Sequence, residues 1–440
     1  MDPLILGILS IAVLLILLVV GLHVAFALIL SSLAGLVLVL GAGPALYLLA
    51  STFAVYGSNY TLSVVPLFIA MGLLATEVEA GATAYDALVS WIGRIPGALG
   101  LATIGGCTMF GAVTGSSIAT AAVFARVSAP EMIRHGYDRR IAYGLVAASG
   151  AIGMMIPPSI LAIVYAAIAE VPVSRVLLAG IGPGLVLAGC LGLAVLVIAV
   201  LRPALIPAAS RPSDWRTKLQ VLPRLWVPVL VAVVVIGGIY TGVFTATEAA
   251  AVGNFVFLLI FLLRRGVSRS GLRKLMEVAL ETASLTAVIF IIFCAAQIFA
   301  RLMVVCGISE YLINAAIGAS ASPLALMIGV AILYIVLGCF IDALSLIVVT
   351  VPILLPAVRA TGTDPIWFGV VLILASQIGL ITPPVGLNLY VVKGIAGPET
   401  TIGEVVHGAL PFLVASVIAL AIVIAVPEAS LFFSRAHLGR

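Results

Sequence analysis

Long apolar runs alternate with short polar breaks along this chain. Two runs, 4–22 and 24–41, meet at Gly21-Leu22-His23, and a third covers about 57–76. Further runs cover 176–201, 223–241, a stretch ending at Leu263, 283–304 and 406–427. A helix of about 20 apolar residues spans the hydrocarbon of a bilayer, so each run predicts a transmembrane helix. Residues 268–281 read as a short amphipathic surface helix ahead of the 283–304 span. Glu248 follows the turn Gly242-Val243-Phe244-Thr245 and reads as a helix cap.

Four stretches are apolar yet do not fit a plain span. Residues 87–125 are crowded with Gly105, Gly106, Gly111, Gly115, Ser116, Ser117 and Thr120. That pattern predicts a helical hairpin entering the membrane and turning back; a spanning helix with a small-residue packing face is the alternative. Residues 311–356 form a second such region, with Gly338, Cys339 and Asp342 in its middle. Gly153-Met154-Met155-Ile156-Pro157-Pro158-Ser159 and Gly379-Leu380-Ile381-Thr382-Pro383-Pro384-Val385-Gly386-Leu387-Asn388 interrupt runs of about 141–169 and 366–394. Paired prolines remove two amide donors and bar a continuous helix. Freed backbone groups at membrane depth must be buried in protein or line a wet cavity.

Composition sharpens this picture. Of 440 residues 63% are hydrophobic and 9% charged, which no soluble fold could bury, so the chain is an all-α polytopic membrane protein. The net charge of +4 is too small for a nucleic-acid-binding surface. The first basic residue is Arg94, so a secretory signal with a basic start is not expected. Cys107, Cys190, Cys294, Cys306 and Cys339 lie in apolar runs without metal-ligand spacing and read as packing residues.

A constant spacing of 226 residues pairs Gly81 with Gly307, Tyr85 with Tyr311, Pro130 with Pro356, Gly136 with Gly362 and Asp138 with Asp364. It also pairs Gly153 with Gly379 and both prolines with both prolines, which points to a duplication. The first repeat is expected over 1–222, with spans in 4–76, the hairpin, the broken helix, the 176–201 span and a Pro- and Arg-rich linker over 202–222. The second is expected over 223–440, with spans in 223–304 before its own hairpin, broken helix and last span. The loop after the first hairpin holds Arg126, Arg134, Arg139 and Arg140, whereas its equivalent holds only Arg359. The positive-inside rule then puts the first loop in the cytoplasm and the second outside. Two re-entrant hairpins and two broken helices in inverted repeats are the layout of a secondary transporter.

Broken helices expose carbonyl oxygens, and a small hard cation needs little else. One sodium site is expected at Gly338, Gly379, Thr382 and Val385, largely through main-chain oxygens, and the repeat places a second at Ala112, Gly153, Ile156 and Ser159. The structural alternative is that these residues only kink helices. Asp342, a carboxylate within an apolar run, is a candidate for ion coupling, for substrate binding or for organising a hairpin tip. Ser116, Ser117 and Asn388 are candidates for binding a polar substrate, against the alternative that they satisfy local backbone.

The ordered motifs Pro66-Leu67-Phe68, Met71-Gly72, Gly115-Ser116-Ser117, Pro130-Glu131-Met132, Ile156-Pro157-Pro158-Ser159, Thr247-Glu248 and Thr382-Pro383-Pro384-Val385-Gly386 run through essentially the whole chain. Together they resemble the large membrane subunit of tripartite ATP-independent periplasmic (TRAP) transporters. Ala246 stands where that family usually has proline. The resemblance implies a sodium-driven importer of small organic carboxylates in the bacterial inner membrane, moving by an elevator motion. It also implies two partners, a smaller membrane subunit and a periplasmic substrate-binding protein. A stand-alone sodium–dicarboxylate or citrate carrier of the same architecture is the rival reading. An intramembrane enzyme is disfavoured, since the chain has no His-Glu-x-x-His or Gly-x-Ser-Gly motif.

Overall fold

The computed structural model describes residues 2–58, 60–92, 95–207, 226–266, 268–318 and 322–436. Most of the expected linker, including Asp214, Trp215 and Arg216, lies outside the described residues. Among the described residues there is helix and connection but no strand. Among the described residues five helices are long and apolar enough to cross a membrane, and Val64–Glu77 with Ala80–Ile92, bent by 61°, makes a sixth if the pair is one span.

The two odd regions fold as helical hairpins. The first has arms Ala98–Thr114 and Ser117–Arg134, the second Pro323–Gly338 and Ala343–Ala360. Gly115, at φ 60°, turns the first tip, and the Ser116 hydroxyl caps the returning arm by accepting the Ala119 N–H. Asp342 caps the second returning arm at Ser345 in the equivalent place. The broken helices are Arg139–Gly150 with Ile160–Ala169, and Pro365–Gly379 with Leu387–Ala396. The Pro157–Pro158 and Pro383–Pro384 bonds at their centres are both cis.

The hairpins enter from opposite faces. The first broken helix starts at Arg139, beside the base of the first hairpin, and ends at Ala169. Its starting end is fixed by the Arg139–Glu399 ion pair at 3.1 Å and by the Asp138 N–H donating to the Leu205 carbonyl. At its far end the Ala169 carbonyl accepts from Arg359, which lies at the base of the second hairpin, at 2.6 Å. A cation on a terminal helix carbonyl satisfies an orphan acceptor and suits the negative end of the helix dipole. The bases of the two hairpins are therefore a broken helix apart, and the repeats are inverted.

Some boundaries differ from expectation. The first hairpin begins at Ala98 and not near 87, because Pro96-Gly97 ends the preceding segment and residues 87–92 complete the helix Ala80–Ile92. The second begins at Pro323, since residues 311–318 belong to a separate helix, Ile308–Gly318. Both returning arms run past Pro130 and past Pro352 and Pro356, to Arg134 and Ala360. The expected surface helix and the span after it form one helix, Arg269–Val305, because no glycine or proline lies between Leu272 and Val305 to end it. Its counterpart is split into Ala42–Gly57 and Val64–Glu77, and the first of these was not anticipated. Gly57-Ser58 and Pro66 supply the interruption there.

The helices pack as two bodies that also touch each other, Arg269–Val305 on Ala343–Ala360 and Val64–Glu77 on Ala98–Thr114. Val24–Leu40, Val64–Glu77, Ala246–Arg265 and Arg269–Val305 pack on one another. The hairpins and broken helices pack together with Ile181–Leu201 and Ile402–Ala425, and the short helices Ala80–Ile92 and Ile308–Gly318 touch the hairpins from the first body. Within the second body each returning arm packs on the far half of the other repeat's broken helix. Ile402–Ala425 crosses Arg139–Gly150 at Gly408 and Gly144, where a methyl on either glycine would overlap the partner's backbone.

That crossing gives a stability prediction. Overpacking typically costs about 1–3 kcal/mol. Gly408→Ala should lower the melting temperature of the purified protein clearly, by forcing the two helices apart. Gly189→Ala, where nothing lies within 4 Å of an added Cβ, should leave it unchanged.

Candidate ion and substrate site

Each hairpin tip lies against the break in its own repeat. Gly338 and Gly379 meet backbone to backbone, and a Cβ on Gly379 would stand 2.7 Å from the Gly338 Cα. The Gly386 N–H donates to the Cys339 carbonyl at 3.3 Å, tying the second tip to the second break. Gly386 sits at φ 57°, and a Cβ there would come within 3.1 Å of the Thr382 carbonyl and 3.2 Å of the Leu380 carbonyl. In the first repeat Gly111 meets Gly153 in the same way, one position earlier in the repeat register than Gly338. The Gly115 tip lies on the Pro158 carbonyl.

These contacts bring together two of the four residues expected at the first cation site. Gly338 and Gly379 are in contact, and Thr382 and Val385 follow on the same unwound segment. The Thr382 hydroxyl donates to the Ile378 carbonyl at 2.6 Å, which leaves its oxygen lone pairs to accept or coordinate. The Gly379 carbonyl accepts the Thr382 N–H, and the Leu380 carbonyl accepts the Asn388 N–H. Among the described residues no N–H donates to the carbonyls of Gly338, Thr382 or Val385. The same is true of Ala112, Gly153 and Ile156 in the first repeat, where the Ser159 side chain caps the next helix by accepting from Ala162. Buried carbonyls are normally paired, so two matching sets of open ones are unusual.

The cradles differ in access. Gly153, Ile156 and Ser159 are buried, whereas Thr382 and Val385 are half-buried and Pro384 is exposed. Gly338 and Gly379 are buried as well, so the difference in exposure lies at Thr382, Pro384 and Val385.

The expected substrate residues fall into two groups. Ser117 and Asn388 are buried and bonded to each other, with Asn388 Nδ2 2.7 Å from Ser117 Oγ and 3.4 Å from the Ala147 carbonyl. This amide ties the first hairpin and the first broken helix to the second broken helix. Ser116 is half-buried and Asp342 exposed, and both are engaged as caps at their tips. Asp342 opens on a cleft of about 420 Å³ that it shares with Phe340, with Leu22 and His23 between the first two helices, and with Ile292. His23 itself caps Val24–Leu40, its Nδ1 accepting the Ala25 N–H.

Sequence reasoning did not single out Thr120, which the fold places against Gly153. Its hydroxyl donates to the Ser116 carbonyl at 2.7 Å and faces Gly153, where an added Cβ would be 2.6 Å from it. Its place one turn beyond the tip was the available signal. Glu248 proves to be half of a capping box with Thr245. Among the described residues no group of three or more His, Cys, Asp or Glu is placed to hold a metal.

Comparison with known proteins agrees with this arrangement. Residues 11–429 match the family described as the tripartite ATP-independent periplasmic transporter, DctM component. The chain is 34% identical to a C4-dicarboxylate TRAP transporter large permease protein of Pseudomonas aeruginosa over 377 residues, 85% of this chain and 86% of that one. It is 32% identical to a sialic acid TRAP transporter large permease protein of Vibrio cholerae over 384 residues, 87% of this chain and 88% of that one. The fold is similar to the YdaH transporter of Alcanivorax borkumensis, with a TM-score of 0.66 at 14% identity, covering 96% of this chain and 98% of that one. With its inverted hairpins, its paired breaks and a match along nearly its whole length, the chain belongs to the TRAP transporter family as a large membrane permease subunit, a polytopic inner-membrane protein and not an enzyme.

Proposed function

We propose that this subunit couples sodium entry to the import of small organic carboxylates. The body of hairpins and broken helices moves as an elevator against the remaining helices. A smaller membrane subunit and a periplasmic substrate-binding protein complete the machine, as the tripartite family name implies. The observation that carries the reading is the pair of open-carbonyl cradles, one per repeat, each closed by its own hairpin tip. Unwound carbonyls and half-helix ends at mid-membrane are how inverted-repeat transporters hold sodium. Gly338, Gly379, Thr382 and Val385 form the first ion site, and Ala112, Gly153, Ile156 and Ser159 the second, with Thr120 beside it.

The carboxylate class is supported by relatives named for C4-dicarboxylate and sialic acid, both carboxylates, although another relative is named for isethionate, a sulfonate. In this reading the substrate enters beside the half-buried second cradle, near Asp342 and Ser116. Ser117 and Asn388 hold the crossing of the repeats from behind. In this reading the hairpins and broken helices move against Val64–Glu77 and Arg269–Val305, which pack directly on the two hairpins, with Ala80–Ile92 and Ile308–Gly318 as the short connectors.

The test is uptake by the transporter reconstituted with its partners. An inward sodium gradient should drive accumulation of a C4-dicarboxylate or sialic acid, and a potassium gradient should not. Equal uptake with either cation would end the coupling proposal. Thr382→Ala removes one ion ligand and should weaken apparent sodium affinity by about tenfold, equivalent to about 1.4 kcal/mol. Unaltered sodium dependence would remove Thr382 from the site. For Asp342, asparagine can also cap a helix, whereas alanine loses about 0.5–2 kcal/mol of capping. Asp342→Asn should therefore melt like the parent yet import slowly, and Asp342→Ala should both melt lower and import slowly. Normal uptake by Asp342→Asn would reduce Asp342 to a cap.

A further inference from the structure

A cleft of about 480 Å³ lies well apart from the cradles, at the basic face of the moving body. Three segments meet there: the first turn of Arg139–Gly150, the end of Ile181–Leu201 with the residues after it, and the first turns of Ile402–Ala425. Its lining includes Arg140, Arg202, His407, Asp138, Ile198 and Pro411. The Arg139–Glu399 pair and the Asp138–Leu205 hydrogen bond hold the segments together. The arginine count of the loop after the first hairpin marks this face as cytoplasmic.

Among the described residues the charges in this cleft are only partly paired. Arg139 takes Glu399, but neither Arg140 nor Arg202 has a carboxylate within 4.0 Å among the described residues. The Asp138 carboxylate is tied to the Arg140 N–H as a helix cap, and Glu404 is tied to Thr401 in a capping box. His407 Nδ1 lies 2.6 Å from the Gly403 carbonyl, so it carries its proton and leaves Nε2 for another partner. Among the described residues the cleft thus presents two guanidinium groups with no carboxylate within ion-pair distance, together with an imidazole, and Glu404 acts on Arg140 only from farther away.

Its walls are those of a lipid-facing groove. Ile198 and Pro411 line it, and the nearby Val200, Leu201, Leu410 and Val414 are exposed at 70%, 74%, 43% and 60%. A site for a free cytosolic anion has no use for this apolar flank. The planar guanidinium fork matches phosphate oxygens in pairs, and basic pockets between helices on the cytoplasmic side suit lipid head groups.

We infer that this cleft binds the phosphate of an anionic phospholipid of the inner leaflet, with Arg140 and Arg202 on the phosphate and an acyl chain along Ile198 and Pro411. The bound lipid spans three segments of the moving body and ties its cytoplasmic end to the leaflet.

The test uses the transporter purified with its co-purifying subunits and stripped of lipid in detergent. Melting temperature is followed during titration with short-chain phosphatidylglycerol, short-chain phosphatidylcholine or sodium phosphate, and native mass spectrometry counts retained lipid. Phosphatidylglycerol should raise the melting temperature saturably and remain bound, and phosphatidylcholine should do so far less. The double variant Arg140→Gln, Arg202→Gln should need about tenfold more phosphatidylglycerol for the same shift. If that variant does not fold, the single variant Arg202→Gln, at an exposed helix end, should show a smaller loss in the same direction. Equal effects of the two lipids, or an unchanged response in the arginine variants, would overturn the inference. So would an equal shift with phosphate alone, which would mark a free-anion site.

Discussion

A peptide group inside a bilayer has no water to bond with, and the architecture of this chain answers that constraint at two places. The double prolines stop the helix ladder at mid-membrane, so carbonyls appear where lipid could not tolerate them. The protein responds by bringing a re-entrant hairpin to each break. Glycine meets glycine there, Gly111 on Gly153 and Gly338 on Gly379, so that backbone approaches backbone without side chains between. Part of the freed hydrogen-bonding capacity is then taken up within the protein, as when Gly386 donates to Cys339. What is left over is two small sets of oxygens, which is what a hard cation requires.

The two halves share this plan but not its details. Serine caps the first hairpin tip and aspartate the second, at equivalent places. The first break is sealed under Gly115 and beside Thr120, and the second is open enough to leave Pro384 exposed. The Ser117–Asn388 pair has no twin in the repeat register, where Ala343 and Ala162 stand instead. An inverted pair with unequal access is what a carrier needs if one site anchors an ion while the other is reached by solute.

Much of this was legible in the residues because glycine and proline report backbone constraint directly. The prolines at 157–158 and 383–384 marked the breaks, and Gly115 with Ser116 marked a tip, since each forbids or replaces a regular helix bond. Element ends were less legible. The long helix Arg269–Val305 looked divided because its start is amphipathic and its remainder apolar, although nothing in it breaks the backbone. Asp342 was found through the cost of burying charge, yet the folded chain leaves it exposed and capping a helix, a role that hydropathy cannot distinguish from ion coupling. The Ser117–Asn388 bond depends on which faces meet across 271 residues of chain, and no local pattern carries that.

The central claim is that unwound backbone at each break, closed by a hairpin, holds a sodium ion. The most direct measurement is a high-resolution cryo-electron microscopy map of the assembled transporter, recorded once in sodium chloride and once in choline chloride. The account predicts density among the Gly338, Gly379, Thr382 and Val385 oxygens, and among those of Ala112, Gly153, Ile156 and Ser159, in sodium only. A helix that runs unbroken through Pro383-Pro384, or empty cradles in saturating sodium, would contradict it.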